Sequence, residues 1–209
     1  NVIGGTTDAE RNIASGNAAH GISIGTDATN NTVIGNYAGT DITGENAIPN
    51  SSKGIHVGGD YNTIGGTNAN ERNVAAGNAQ DGISLSNATG NNILGNTIGI
   101  NAVGNPLGNT HSGVLINGDS AGNIIGGTAG GAANIIAYNM RDGISHSGSG
   151  IDNVFHRNSF YENGVLAIDL MADDVTINTG DVTDTGANNL LHFPQFSLIT
   201  IAKSNVVLS

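Results

Sequence analysis

The stretch Asn62-Thr63-Ile64-Gly65-Gly66-Thr67 decides the fold, because near-copies of it stand at 1–6 and 123–128 of this 209-residue chain. The copies are 61 residues apart, and the similarity extends well beyond the six residues quoted. Self-similarity at a fixed period of this length is typical of a repeat architecture, in which each unit stacks on the next. The chain is therefore predicted to be a repeat protein.

Each 61-residue unit divides into two turns. Glycine followed by Ile or Val opens a short apolar alternation at Gly21, Gly54, Gly82, Gly113, Gly143 and Gly164. Asparagine opens two further alternations in each turn, at Asn31, Asn62, Asn91, Asn123 and Asn153, and at Asn36, Asn73, Asn96, Asn134 and Asn158. Gly and Asn accept the left-handed backbone angles that sharp corners need. Three short strands per turn predict an all-β fold, a right-handed single-stranded parallel β-helix of about seven turns.

Period-two alternation assigns the inward positions, which form columns along the axis of the predicted helix. The first strand contributes Ile22, Ile55, Ile83, Val114, Ile144 and Val165, followed by Ile24, Val57, Leu85, Ile116 and His146. The second contributes Ile3, Val33, Ile64, Ile93, Ile125 and Phe155, and the third Ala14, Ala38, Ala75, Ile98, Ile136 and Phe160. The asparagines that open the second and third strands are expected to stack as hydrogen-bonded ladders.

The repeats define the domain organisation. We expect β-helix repeats over 1–163, with double-turn units at 21–81 and 82–142 and partial units at 1–20 and 143–163. Insertions fall at two different corners, for example 65–72 between the second and third strands, and 39–53 and 99–112 before the next first strand. The segment 164–209 is interpreted as a last turn and a C-terminal cap or exit segment, since a solenoid end must be covered. We expect further domains to flank it in the native protein.

Composition excludes several classes of protein. The chain has 33 Gly and no Cys, so it cannot be a disulfide scaffold or use thiolate metal sites. A net charge of −11 with only six Lys and Arg argues against nucleic acid as a partner. No apolar run approaches the ~20 residues of a membrane helix, which argues against membrane insertion.

The repeats resemble the parallel β-helix repeats of large bacterial secreted and cell-surface proteins in the pectate-lyase-like superfamily. The resemblance covers 1–170 and is carried by the quoted stretch 62–67, with Arg72-Asn73, Gly77-Asn78, Asp81-Gly82-Ile83, Gly39-Thr40-Asp41 and, near the end, Gly186-Ala187-Asn188 and Phe193-Pro194. It implies a right-handed solenoid in an extracellular or cell-surface setting, often with polysaccharides. It implies no single activity, because this fold carries lyases, hydrolases, epimerases and adhesins.

In the enzymes of this resemblance, substrate lies along the outer face of the first strand, which here presents Ser23, His56, Ser84, Leu115 and Ser145. The corner before that strand holds more charge. The candidate catalytic residues at this corner are Lys53, Asp81, Arg141 and Asp142. The candidate ligand-binding residues are His111, Lys53 and Arg141 at the corner, together with His56 on the outer face. A Lys or Arg there can abstract a proton from a uronic acid, as a lyase requires. The two carboxylates, Asp81 and Asp142, are two rungs apart, a spacing that permits glycoside hydrolysis. The alternative is that these are polar turn residues and mutual salt bridges.

Metal binding has only local candidates. Carboxylates suited to Ca2+ occur at Asp41, Glu45, Asp173 and Asp174, and no nonapeptide Ca2+ repeat is present. No other cofactor is evident from the sequence. The Gly-His-Gly of polygalacturonases, the Trp-bearing and Arg-Pro signatures of pectate lyases and the Asp-Pro-His-Glu of alginate epimerases are all missing.

Three functions are compatible with the sequence. The first is a non-catalytic carbohydrate-binding or adhesion module, the second is a polysaccharide lyase or glycoside hydrolase acting on an acidic glycan, and the third is a structural stalk. The missing enzyme signatures favour the first. If the charged corner is not used, an apolar strip on the second strand is the alternative contact surface for a protein: Ile34, Leu94, Ile124 and Val154.

Overall fold

The computed structural model describes residues 1–171 and two later strands, Ile199–Ala202 and Asn205–Leu208, which pair antiparallel. Residues 1–171 form three parallel sheets of six strands, and successive turns of the chain add one strand to each sheet. The fold is a parallel β-helix with three strands per rung, as predicted. The described residues contain six rungs, where the sequence predicted about seven. The right-handed coil and the domain boundaries stay predictions.

The strands are short, as expected for a chain that turns a corner every few residues. Sheet A, which contains the quoted stretch, consists of Val2–Gly4, Thr32–Ile34, Thr63–Gly65, Asn92–Leu94, Ile124–Gly126 and Val154–His156. Sheet B consists of Ile13–Ala14, Tyr37–Ala38, Val74–Ala75, Thr97–Ile98, Ile135–Ala137 and Ser159–Tyr161. Sheet C consists of Ile22–Ile24, Ile55–Val57, Ile83–Ser86, Val114–Gly118, Ile144–Gly148 and Ile168–Leu170.

The Ile-Gly-Gly motif stands at the end of the first, third and fifth strands of sheet A, which are followed by insertions. Glycine is needed there for steric reasons. Gly65 has φ +84°, and a Cβ placed there would lie 2.0 Å from the backbone oxygen of Leu94 on the next rung. A Cβ on Gly66 would lie 2.2 Å from a carboxylate oxygen of Glu71. Only glycine lets the chain turn left-handed and lets the next rung approach so closely. The motif therefore marks a corner.

The core consists of the predicted columns. Sheet register aligns Ile22 with Ile55 and Ile83, and Val33 with Ile64 and Ile93. The inward side chains of the middle rungs are fully buried, for example Ile64, Ile93 and Ile116. Each such Ile contributes roughly 1.5–3 kcal/mol through burial, which offsets the conformational entropy of ordering a glycine-rich chain.

Three asparagine ladders line the corners, each joining all six rungs. Two were predicted, and the side-chain amide of each Asn donates to the Oδ1 atom of the next, as from Asn36 to Asn73 at 3.1 Å and from Asn73 to Asn96 at 2.9 Å. The third, before sheet C, was not predicted: Asn17, Asn50, Asn78, Asn109, Asn139 and Asn163. Its signal is the recurrence of Asn17 in the next repeats at Asn78 and Asn139.

The last described rung corrects one prediction. The sequence assigned Val165 to the inward column, but Val165 is exposed, and Ile168 pairs with Ile144 instead. Gly164 was misleading because Ala167 takes the position that Gly143 holds one rung earlier: the amide of Ile144 bonds to the oxygen of Ala167 at 2.9 Å. The predicted C-terminal segment lies mostly outside the described residues.

Insertions border sheet B on both sides. Two 3-10 helices, Asp8–Glu10 and Ala69–Glu71, occupy the corner between sheets A and B in the first and third rungs. The loops closed by the bridges Thr40–Ala47 and Ile100–Pro106 occupy the corner between sheets B and C in the second and fourth rungs. The second loop rests on the first, since the amide of Ala102 donates to the oxygen of Gly44 at 2.9 Å. None of the helices in the described residues is long and apolar enough to cross a membrane.

Candidate functional site

The outer face of sheet C carries the residues that the sequence placed there, but it is less open than expected. Its register runs Ser23, His56, Ser84, Leu115, Ser145 and Asp169. Ser23 is exposed, whereas Ser84 is fully buried and its hydroxyl lies 3.0 Å from Nδ1 of His56. Only part of this face is therefore accessible to a ligand.

The corner before sheet C forms two parallel columns, which backbone hydrogen bonds between rungs define. One column is His20, Lys53, Asp81, Ser112, Asp142 and Leu166, and the other is Ala19, Ser52, Gln80, His111, Arg141 and Val165. Because Gly164 was predicted to open the last strand, the sequence pattern places Asn163 and Glu162, the two residues before it, at the last two positions of these columns. That difference follows from the same three-residue shift in the last rung.

A groove of about 740 Å³ joins this corner to the outer face of sheet C. We call it the corner groove. Its lining residues are Asp81, His111, Ser112, Leu115, Met140, Arg141, Asp142, Ser145, Ser147, Val165 and Asp169. Four of the predicted candidates thus share one groove: Asp81, His111, Arg141 and Asp142. Lys53 and His56 are not among the lining residues.

The two aspartates of the corner groove also have a structural role. Oδ1 of Asp81 accepts a hydrogen bond from the backbone N–H of Ser112 at 3.2 Å, and Oδ1 of Asp142 accepts one from Leu166 at 3.1 Å. Both side chains are almost fully buried. Burial raises the pKa of Asp81 above its usual value, against the opposing charges of Lys53 and His111 and the Ser112 amide. Each carboxylate therefore ties two rungs together while it faces the groove.

Lys53 and His56 belong to a neighbouring cluster on the first three rungs. The rings of His20 and His56 stack with centroids 4.6 Å apart, and Nζ of Lys53 donates to the side-chain oxygen of Gln80 at 3.0 Å. Burial lowers the pKa of both imidazoles, first by desolvation and then through the nearby Lys53 charge and, for His56, the His20 ring. This cluster presents one cation and two imidazoles that favour the neutral form.

The metal candidate near Asp41 has its oxygens occupied by protein donors. Asp41 accepts hydrogen bonds from the hydroxyl of Thr43 at 2.7 Å and the side-chain amide of Asn46 at 2.8 Å. These bonds hold the pKa of Asp41 well below its usual range. Neutral Asn101 closes the equivalent loop two rungs later by accepting from the amide of Asn105, so the carboxylate has a loop-closing role.

The remaining metal candidates are not brought together in the described structure. Glu45 lies on the same exposed loop as Asp41, and Asp173 and Asp174 lie outside the described residues. Within residues 1–171 no group of three or more His, Asp or Glu side chains is placed to hold a metal ion.

A second groove, of about 630 Å³, lies on the outer face of sheet B and was not predicted. We call it the sheet B groove. It is bordered by both 3-10 helices on one side and by the loop that starts at Ile100 on the other, and it extends from Thr6 in the first rung to Tyr161 in the sixth. Two arginines line it, Arg11 and Arg72. Their 61-residue spacing was the sequence signal that could have revealed this groove.

Comparison with known proteins finds structural similarity at low sequence identity. No family model matches the chain, and no curated protein matches it. Among solved structures, the crystal structure of the periplasmic alginate epimerase AlgG is similar over 72% of this chain, with 15% identity and a TM-score of 0.45. A mutant of the same enzyme is similar over 76% of this chain, with 14% identity and a TM-score of 0.45. The matched regions span 36% and 39% of those chains.

Proposed function

We propose that this chain is an extracellular carbohydrate-binding module and that its ligand, an acidic glycan, lies in the corner groove. The observation that carries the proposal is the shared groove of Arg141, His111, Asp81 and Asp142. Its volume of about 740 Å³ is within the range that small-molecule sites occupy. Polar groups that converge on one concave surface are the usual basis of ligand orientation.

Three types of lining residue have a complementary group on an acidic sugar. The exposed Arg141 guanidinium offers several N–H donors in the geometry that a carboxylate accepts. The exposed Ser147 can exchange hydrogen bonds with sugar hydroxyls, while Ser112 and Ser145 line the groove at nearly buried positions. Leu115 and Met140 supply an apolar surface for the carbon–hydrogen face of a ring. These complementary groups support an acidic sugar chain with free hydroxyls as the ligand.

The test is a binding screen with pectin, alginate and neutral polysaccharides, combined with the double variant Arg141→Ala/His111→Ala. We expect the variant to bind the acidic glycans about tenfold more weakly, which corresponds to the loss of one or two hydrogen bonds to a charged group. Added salt should weaken the parent further, because exposed charges are screened within ~8–10 Å. Binding of neutral glycans should change less.

The matched control is Arg157→Ala, which removes the same charge from a different face, where Nη1 of Arg157 donates to the oxygen of Thr128. Equal affinities for the parent, the double variant and the control would rule out the corner groove as the site. No binding of any glycan would favour the third possibility, a structural stalk.

A second candidate function is glycoside hydrolysis, which the raised pKa of Asp81 favours. An inverting hydrolase pairs a protonated acid with a carboxylate across the bond that it cleaves. Asp81 and Asp142 lie two rungs apart, roughly 9.6 Å at ~4.8 Å per rung, near the upper limit of such pairs. New reducing ends that disappear in Asp81→Asn would establish a hydrolase. Unsaturated products would establish a lyase, and turnover of neither kind leaves a binding module.

A further inference from the structure

The two arginines of the sheet B groove occupy equivalent positions but have different partners. In each case Nε donates to the backbone oxygen of a glycine on the next rung, from Arg11 to Gly35 at 3.2 Å and from Arg72 to Gly95 at 2.9 Å. This shared bond directs both side chains along the same border of the groove. The guanidinium groups can therefore be compared directly.

Arg11 is neutralised and covered by its own rung and the next. Its Nη2 lies 2.7 Å from Oδ1 of Asp8, and its guanidinium carbon lies 4.2 Å from the centroid of the Tyr37 ring. In both contacts the positive charge of Arg11 interacts with groups of the protein itself. Arg11 is thus a structural arginine with little left to offer a ligand.

Arg72 lacks both of these partners. The 61-residue repeat places Ala69 where Asp8 stands, and Thr97 occupies the outward position of the next rung that Tyr37 holds beside Arg11. Within residues 1–171, Arg72 forms no ion pair. The half-buried Arg72 side chain lines the groove, as does Thr97, and its Nε bond to Gly95 leaves the charge of the guanidinium without an acidic partner there. A guanidinium in this position can accept a carboxylate in the paired N–H geometry that arginine favours.

The shape of the groove indicates a linear ligand. Its lining spans all six rungs, which is roughly 24 Å at ~4.8 Å per rung. Tyr161 at the far end is 41% exposed and its ring is held edge-on against Tyr138, with centroids 5.5 Å apart. Thr97 lies in the fourth rung, between Arg72 and Tyr161, and Thr6 and Thr7 line the opposite end of the groove in the first rung. A positive centre, an aromatic surface and repeated hydroxyls are the groups that contact an extended sugar chain.

A peptide fits this surface less well for a geometric reason. The groove lies on a sheet face, and the backbone groups of its middle strands are already bonded to the rungs on either side. An extended peptide cannot add to the sheet there, so it would lose the main-chain bonds that usually provide its affinity. A sugar chain needs only side-chain contacts.

We propose that the sheet B groove is a binding site for a linear uronic-acid polysaccharide, with one sugar carboxylate held by the guanidinium of Arg72. The proposal is independent of the corner groove, because no residue is shared between the two linings. It assigns to the break in the repeat, Ala69 in place of Asp8, the role of leaving one arginine free for a ligand.

The experiment measures binding of galacturonic acid oligosaccharides and of the same oligosaccharides with their carboxyl groups reduced to alcohols. Arg72→Ala and Ala69→Asp should each weaken binding of the acidic form about tenfold and leave the reduced form unchanged. Ala69→Asp is the sharper variant, because it gives Arg72 the acid that Arg11 already has at an exposed position the fold accepts. Asp8→Ala should strengthen binding by up to about threefold.

Several results would overturn the proposal. They are no binding of the acidic oligosaccharide by the parent, parent-like affinity in both Arg72→Ala and Ala69→Asp, or equal losses for acidic and reduced forms. Tighter Arg72-dependent binding of poly-glutamate would also do so, by showing that the carboxylate belongs to a protein. Loss in Arg141→Ala alone would support the corner groove and refute this one, whereas loss in Arg72→Ala alone would do the reverse.

Discussion

The inner and outer surfaces of this β-helix are built from the same strands but follow opposite rules. Inward positions keep one chemistry from rung to rung, as the column Val33, Ile64 and Ile93 does, and the asparagine ladders keep it at three corners. Outward positions are more variable, and on sheet B the register runs from Tyr37 to Val74 and Thr97. Repetition inside supplies stability, because each rung must match the surface of its neighbour.

The outer surface teaches where a repeat has been given another use. Arg11 and Arg72 occupy equivalent positions, and two differences, Ala69 in place of Asp8 and Thr97 in place of Tyr37, separate a self-paired arginine from one open to a ligand. In the third repeat, Ala133 stands at the position that Arg11 and Arg72 hold in the first two repeats. Departures from the repeat are therefore the places to look for function, provided that they lie in a groove.

The largest expected effect comes from breaking the inner rule with a charge. Ile93→Asp should abolish folding, because Ile93 is fully buried between Ile64 and Ile125 and an unpaired carboxylate there costs several kcal/mol. Ser23→Asp, on the exposed outer face, is the matched control and should change the free energy of unfolding by less than about 0.5 kcal/mol. Chemical denaturation measures both, and equal losses would show that the faces are assigned wrongly.

An intermediate effect is expected from a ladder. Asn96→Ala should lower the free energy of unfolding by about 2–3 kcal/mol, since the side chain donates to Ile64 and Asn134 and accepts from Asn73, all in the interior. Asn12→Ala, at the exposed start of the same ladder, should cost less than about 1 kcal/mol. A similar loss of unfolding free energy in Asn96→Ala and Asn12→Ala would mean that burial does not decide how much each asparagine of the ladder contributes to stability.

The smallest effect concerns the one inward position that departs from its column. Burial lowers the pKa of His146 below its ordinary 6.5, so the unfolded chain binds a proton first as the pH falls. Stability from the neutral ring is present above pH 6.5 and is lost toward the lower folded pKa, at about 1.4 kcal/mol per pKa unit.

His146→Leu, which restores the apolar column, should flatten this loss between pH 6.5 and 5. Within residues 1–171, Nδ1 of His146 has no hydrogen-bond partner, but Nε2 lies 2.8 Å from the side-chain amide nitrogen of Asn153. The replacement therefore also removes one buried hydrogen bond, which lowers stability at every pH, and the slope with pH is the quantity to compare. His56→Gln should flatten it less, because His56 is only half-buried. Denaturation midpoints at several pH values measure both slopes, and an unchanged slope in His146→Leu would contradict this account.

By itself the sequence determined the fold, the inward columns and two of the three ladders. It could do so because period-two alternation and the 61-residue repeat are local patterns, and stacking copies every rung in the same register. Its error at Val165 also has a local cause: Gly164 looks like the glycine of every earlier corner, and only the hydrogen bonds between rungs place Ala167 there.

Tertiary structure alone decided which charged residues share a surface. The corner groove is lined by Asp81, His111, Arg141 and Asp142. Lys53 and His56 belong to another cluster, because Lys53 bonds to Gln80 and His56 stacks on His20. Sequence spacing alone does not make that distinction. The sheet B groove was harder to predict from the sequence, because its walls come from insertions in different rungs. Within residues 1–171, its Arg72 also differs from Arg11 by lacking an ion pair, which only side-chain positions show. A periodic sequence specifies the stacked interior, whereas the grooves depend on the loops that fold beside it.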